Sequence, residues 1–202
     1  MTKLKVGITG NIGSGKTTVC RIFETLGIPV YYADTAAKRL MVEQPDLVRG
    51  ITGLFGSESY HADGSLNRAH LSARAFADKS LLTQLNALVH PAVRADAERW
   101  HREQDAPYTL HEAALTFETG GEKRLDRVIV VAAPEALRLR RVMERDGADE
   151  AQVRARMQHQ MPEAEKVERA DFVIDNDGER LLIPQVLVMH QALIVEIRTA
   201  IF

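Results

Sequence analysis

Apolar positions along the chain follow two rhythms. Short runs rich in branched and aromatic residues fall at 4–9, 29–33, 108–112, 127–132 and 171–174. Several are unbroken rather than alternating, which predicts strands buried on both faces of a parallel sheet. Between them the apolar spacing is helical. It predicts helices at 16–26, 34–42, 46–55, 68–77 and 79–89. His90-Pro91 is expected to interrupt the path before a further helix through Glu103. After the fourth strand, Pro134 suits the first position of a helix ending at Asp146-Gly147, and another helix spans 149–160. The segment 181–202 is apolar but carries Pro184, Gln185, His190, Gln191, Glu196 and Arg198. It is expected to be a helix docked on the core.

Alternating strands and helices predict an α/β fold around a five-stranded parallel sheet. The stretch 44–105 has no strong strand and is expected to be a helical insertion. The expected core is then 1–43, 106–136 and 168–202, with 137–167 a helical lid. All belong to one domain, a size consistent with 202 residues.

Composition narrows the function classes. The formal net charge of -2 gives no whole-chain signal for nucleic acid. No leader-like apolar start and no uncharged membrane-length stretch is present. Cys20 is the single cysteine, so no intrachain disulfide forms, as suits a reducing compartment. The expectation is a cytoplasmic protein with no membrane, nucleic-acid or protein partner.

The strongest chemical signal is Gly10-Asn11-Ile12-Gly13-Ser14-Gly15-Lys16-Thr17. It follows an apolar strand and opens a helix, the context a phosphate-binding loop requires. Glycines let successive N–H groups turn inward on phosphate oxygens, and the following helix adds its N-terminal dipole. Lys16 supplies a cation to the β and γ phosphates. Thr17 offers a hydroxyl to Mg²⁺. Asn11, Ile12, Gly13, Ser14, Gly15 and Thr18 complete the expected ATP seat.

Carboxylates at strand ends are the next candidates, because ligands of open α/β sheets bind outside the strand C-termini. Asp34 follows the second strand. Its place fits a general base for an attacking hydroxyl, and equally a helix N-cap. Glu112 ends the third strand, where such proteins carry an acid that orients hydrated magnesium. Glu118 lies six residues on; an ordinary surface carboxylate is the alternative reading of both.

Arg138, Arg141 and Arg145 are spaced to share one helix face. Arginines there could close over phosphates as a lid, most plainly Arg141 and Arg145; a solvated face is the alternative. Cys20 reads as a packed thiol.

These residues carry a resemblance covering nearly the whole chain. Val6 to Thr17, Gly27-Ile28-Pro29-Val30, Ala33-Asp34, Asp63-Gly64-Ser65-Leu66-Asn67-Arg68 and Leu85-Asn86-Ala87-Leu88-Val89-His90-Pro91 resemble the dephospho-CoA kinase family. So do Leu115-Thr116-Phe117-Glu118, the segment from Arg141 to Gly147, Gln160-Met161-Pro162 through Lys166, and Ala170-Asp171 to Asn176. The resemblance implies a P-loop kinase that transfers the ATP γ-phosphate to the ribose 3′-hydroxyl of dephospho-CoA. It implies Asp34 as base, Arg141 on the lid near ATP, Asn176 near the adenine, and the helical insertion as acceptor domain. It assigns Lys38, Arg68, His90 and Glu118 to the acceptor. Three positions depart from the family pattern: Tyr32 replaces a common second aspartate, Asn11 a glycine and Thr116 an apolar residue. Asn11 is expected to enter a left-handed conformation, which asparagine does more readily than most residues. A kinase for another alcohol or nucleotide remains an alternative. A GTPase is disfavoured by the lack of an Asn-Lys-x-Asp segment.

Overall fold

The computed structural model describes residues 3–199. Two compact units emerge: residues 32–103 form one, and the remainder of the chain the other.

The larger unit is built on a parallel sheet of order β2-β3-β1-β4-β5. Its strands are β1 Leu4–Thr9, β2 Val30–Tyr32, β3 Tyr108–Glu112, β4 Arg127–Ala132 and β5 Phe172–Asp175. The register aligns Ile8 with Glu112 and with Ile129. Strand β1 lies in the middle, where both faces are covered, and Val6 and Ile8 are fully buried. Thr9 is fully buried too, so the strand is enclosed although its sequence alternates apolar residues with Lys5, Gly7 and Thr9. A Cβ on Gly7 would fall 2.4 Å from the Leu125 side chain, so the missing side chain admits Leu125 to the sheet surface.

Helix α1 (Lys16–Thr25) buries Val19, Cys20 and Phe23. Gly27 ends it at φ 78, a value costly for any residue with a Cβ. The last described helix, α9 (Leu182–Thr199), buries Val186, Met189, Leu193 and Ile197 at helical spacing. The helix expected over 181–202 is present from Leu182 to Thr199, and residues 200–202 lie outside the described residues. No described helix is long and apolar enough to cross a membrane.

Between β4 and β5 run α6 (Glu135–Asp146), α7 (Glu150–Met157) and α8 (Glu163–Glu168). Pro134 is the N-cap of α6 rather than its first residue, because its ψ of 137 is extended. Asp149 caps α7 by accepting a hydrogen bond from the Gln152 amide at 2.8 Å. Helix α8 has no counterpart among the expected elements. Its six residues are too few for a hydrophobic period to register.

The smaller unit is helical: α2 (Ala33–Glu43), α3 (Pro45–Phe55), α4 (Arg68–Ala77) and α5 (Lys79–Glu103). Ile51, Phe55 and Leu71 form its core with Met41, Leu54, Tyr60, Leu66, Leu81 and Leu85 around them. Gly64 sits at φ 81 in the expected turn, where Asp63 accepts from the Ser65 amide and hydroxyl. The expected break at His90-Pro91 does not occur. Pro91 lies inside α5, which is continuous. Burial on either side overrides the lost N–H. Val89 is buried, and Asp96, 4% exposed, accepts from Arg39 at 2.7 Å and from Arg99.

Candidate functional site

In a parallel sheet every strand delivers its C-terminus to one edge. Strand β1 delivers the glycine loop there, β3 delivers Glu112, β4 delivers Ala133 and β5 delivers Asn176. Gly10, Gly13 and Gly15 adopt φ 153, 80 and 92. The loop is crowded as well as contorted. A Cβ on Gly13 would lie 2.5 Å from the Arg138 carbonyl oxygen of α6, and one on Gly10 would lie 2.4 Å from the Val131 carbonyl oxygen. Glycine is required there by both torsion and space.

Asn11 does not take the left-handed conformation expected of it, since no described residue other than glycine has positive φ. Its tolerance has another cause. The side chain is buried, and Nδ2 donates to the Met161 carbonyl at 3.2 Å.

Hydrogen bonds fix the loop's shape. The Ser14 amide donates to Asn11 O at 3.0 Å, and the Thr18 amide to Gly15 O at 3.0 Å. The Ile12 amide donates to Gln160 Oε1 at 2.7 Å. Lys16 Nζ donates to Gly10 O at 2.9 Å, which keeps the ammonium over its own loop. Thr17 and Thr18 are exposed at the start of α1.

Asn176, just past β5, lies against the loop from the other side. Its Nδ2 donates to Ser14 O at 2.7 Å, and its amide donates to Ala132 O at 2.8 Å. Arg141 of α6 donates to Asn176 O at 3.1 Å and Oδ1 at 3.3 Å. Arg141 and Asn176 therefore meet beside Ser14 and Gly15.

The three arginines of α6 have different fates. Arg138 is 5% exposed; it donates to Ala133 O at 2.8 Å and pairs with Glu163 at 3.4 Å. It belongs neither to a solvated face nor to a free lid. Arg145 grips Asp146 through two hydrogen bonds of 2.7 and 3.1 Å, and Arg156 donates to the same carboxylate at 2.7 Å. Arg145, then Arg156, holds the Asp146 carboxyl well below the usual range. Arg138 meets the loop through its backbone carbonyl, and Arg141 reaches it with its side chain through Asn176.

Glu118 accepts from the Met161 amide at 2.9 Å and from Lys166 Nζ at 2.8 Å. Lys166 is fully buried and donates also to Ala114 O at 3.1 Å. Burial works against the Glu118 carboxylate, but the bonds from Lys166 and the Met161 amide outweigh it and hold the group below its ordinary value. Glu118 is thus engaged with the elements behind the loop.

Glu112 stands beside Ile8 at the foot of the loop. Burial, and after it the Glu112 charge, raises the Cys20 thiol, so Cys20 is an inert packed group.

In the smaller unit, Asp34 lies in the first turn of α2, two residues beyond β2. Tyr32 holds the N-cap position and no side chain caps the helix, which removes the N-cap reading of Asp34. Asp34 and Lys38, one helical turn apart, are both exposed. Arg68 opens α4, and His90 lies in mid-α5; both are exposed. The His90 carbonyl accepts from Arg94 Nε at 3.1 Å.

The segment from Gln160 to Lys166 is part of the resemblance, but sequence reasoning gives neither of these two residues a place in this constellation. Their bonds reach Ile12 and Ala114 across 148 and 52 residues, and no local spacing signals such a contact.

Comparison with known proteins agrees with this geometry. A family model described as dephospho-CoA kinase matches residues 4–181. A dephospho-CoA kinase of Salinibacter ruber is 46% identical over 177 residues, 86% of this chain and 88% of that protein. One of Chlorobaculum tepidum is 44% identical over 183 residues, 87% of each chain. Among solved structures, a dephospho-CoA kinase from Campylobacter jejuni superposes with TM-score 0.70 at 26% identity, covering 94% of this chain and 96% of the other. A crystal structure from Thermus thermophilus gives TM-score 0.85 at 37% identity, covering 95% and 98%.

Proposed function

The chain belongs to the dephospho-CoA kinase family, and from that premise we propose how its own residues carry the reaction. The activity is ATP-dependent transfer of a phosphoryl group to dephospho-CoA. The nucleophile is the ribose 3′-hydroxyl, the bond broken joins the β-γ bridging oxygen to the γ phosphorus, and the products are coenzyme A and ADP.

In the proposed mechanism the triphosphate sits on the loop from Gly13 to Thr18. Lys16 leaves the Gly10 carbonyl and turns to the β and γ phosphates. Asp34 accepts the proton of the acceptor hydroxyl. Support comes from its place just after β2, its exposure and its freedom from any capping duty. Arg141 offsets charge on the transferring group, supported by its station on Asn176 beside the loop. Arg145 is given the same role in a closed lid, which requires it to leave Asp146.

The donor set suits magnesium. Thr17 offers a hydroxyl and Glu112 a carboxylate, both hard oxygen donors. No cluster of three or more histidine, cysteine or acidic residues exists among the described residues, so the ion would ride mainly on phosphate and water. Bound Mg²⁺ would neutralise charge on the β and γ phosphates.

Acceptor binding is proposed for the helical unit through Lys38, Arg68 and His90, with Glu118 holding the framework behind the loop. The inert, buried Cys20 suits a reducing cytoplasm. The observation that carries the whole reading is the glycine loop with Lys16 folded onto it. The test is ADP release from ATP with and without dephospho-CoA. Turnover that depends on dephospho-CoA is expected, and turnover indifferent to it defeats the acceptor assignment.

A further inference from the structure

Three residues at the entry to α8, Gln160, Met161 and Glu163, are tied to the phosphate loop or to the strand ends that flank it. Gln160 Oε1 accepts from the Ile12 amide at 2.7 Å. The Met161 carbonyl accepts from Asn11 Nδ2 at 3.2 Å, and the Met161 amide donates to Glu118 Oε1 at 2.9 Å. Pro162 has φ -51 and ψ 139, an extended link that also caps α8. Glu163 Oε2 accepts from the Ala133 amide at 3.2 Å and lies 3.4 Å from Arg138 Nε. Behind them the fully buried Lys166 holds Glu118.

The consequence concerns one peptide plane. The peptide joining Asn11 to Ile12 has two polar ends. Its carbonyl accepts from the Ser14 amide at 3.0 Å, and its N–H donates to Gln160. A peptide held at both ends cannot rotate without breaking both bonds. Were it to flip, the Asn11 carbonyl would change sides and could face the triphosphate, where an oxygen dipole repels anionic oxygens. Within the loop itself only the Ser14 bond opposes that flip. Gln160 supplies the second restraint from outside.

We propose that Gln160 is a positioning residue: it locks the Asn11–Ile12 peptide so that the cradle presents amides, and not a carbonyl, to the nucleotide phosphates. The 160–163 segment thereby links the α6–α7 helices to the loop, since only Gln158 and His159 separate it from the end of α7. Gln160 contacts no reacting atom in this role. The inference rests on the loop seating a triphosphate and is independent of Asp34.

Two measurements test it. Amide exchange of the unliganded wild-type protein should show Ile12 protected. In Gln160→Met, which keeps bulk but removes the acceptor, Ile12 exchange should accelerate about tenfold or more while amides of β1 stay unchanged. KM for ATP should rise about 5–30-fold, the scale of one lost hydrogen bond to a structured amide. The KM for dephospho-CoA should not move, and kcat should stay within about threefold, a split that general destabilisation would not give. Gln160→Glu retains an acceptor oxygen and should lie closer to wild type than Gln160→Met. Direct contact of Gln160 with phosphate predicts the reverse order, because a carboxylate repels phosphate. That reverse order, an unprotected Ile12 amide in the wild type, or a KM for ATP within twofold in Gln160→Met overturns the proposal. The wild-type exchange measurement decides the matter should neither variant fold.

Discussion

Asn176 fills the space a side chain at Gly15 would need: its Nδ2 lies 2.2 Å from where a Cβ would be placed. The two residues are 161 positions apart in sequence, yet the loop can close only because one lacks a side chain and the other bonds the Ser14 carbonyl. The glycine of the phosphate-loop pattern thus has a second reason here beyond its φ of 92.

That pair gives the first prediction. Gly15→Ala must displace Asn176 and adopt a strained torsion, the latter costing about 1 kcal/mol. ATP affinity should fall by about tenfold or more. The double variant Gly15→Ala with Asn176→Ala relieves the clash but not the torsion, so calorimetry should find only partial recovery. Full recovery would show that torsion is irrelevant.

The proposed base is separable from the phosphate seat. Asp34→Asn should lower kcat by about 10²–10⁴-fold while ATP affinity stays within about threefold. Lys16→Ala should weaken both ATP binding and transfer. Titration calorimetry beside steady-state rates distinguishes them, and an Asp34→Asn enzyme with wild-type turnover excludes the carboxylate as base.

Stability should carry two pH signatures. Burial lowers the pKa of His190, whose Nδ1 shares a 2.7 Å hydrogen bond with the Tyr108 hydroxyl. Below the ordinary value of 6.5 the unfolded chain takes up this proton before the folded one. Stability should therefore decline as pH falls from 6.5 and level off beneath the folded value, and His190→Gln should flatten that slope in thermal melts. Glu118 acts lower. Its folded pKa is held below 4.5, so its contribution is present above 4.5 and lost as pH falls through the folded value. Glu118→Gln should shrink the second decline, to which Asp146 also contributes, and leave the first.

Pro91 offers a test of the helical unit. It lies within α5 without an N–H to donate, and its ring opposes the carbonyl of Ala87. Pro91→Ala should stabilise the protein by about 1–2 kcal/mol, the helix gain less the greater freedom of the unfolded chain. Urea unfolding measures it; a lower midpoint would mean that the proline is held for packing.

Much of this was legible in the chain itself. β1, β3 and β4 fall at the expected 4–9, 108–112 and 127–132, because each holds buried apolar residues at its centre, Val6 and Ile8, Leu110, and Val128 to Val131. The glycine loop announced itself because its chemistry is local: backbone torsion, a helix start and one lysine lie within eight residues. Tertiary structure decided what depends on distant partners. It kept α5 whole through Pro91 by burying residues on both sides, buried Arg138 against Glu163, set Arg145 on Asp146, and brought Gln160 onto the Ile12 amide. Hydrogen bonds and ion pairs between remote residues have no period in sequence. Only the packed chain brings their donors and acceptors within 3 Å or so of each other.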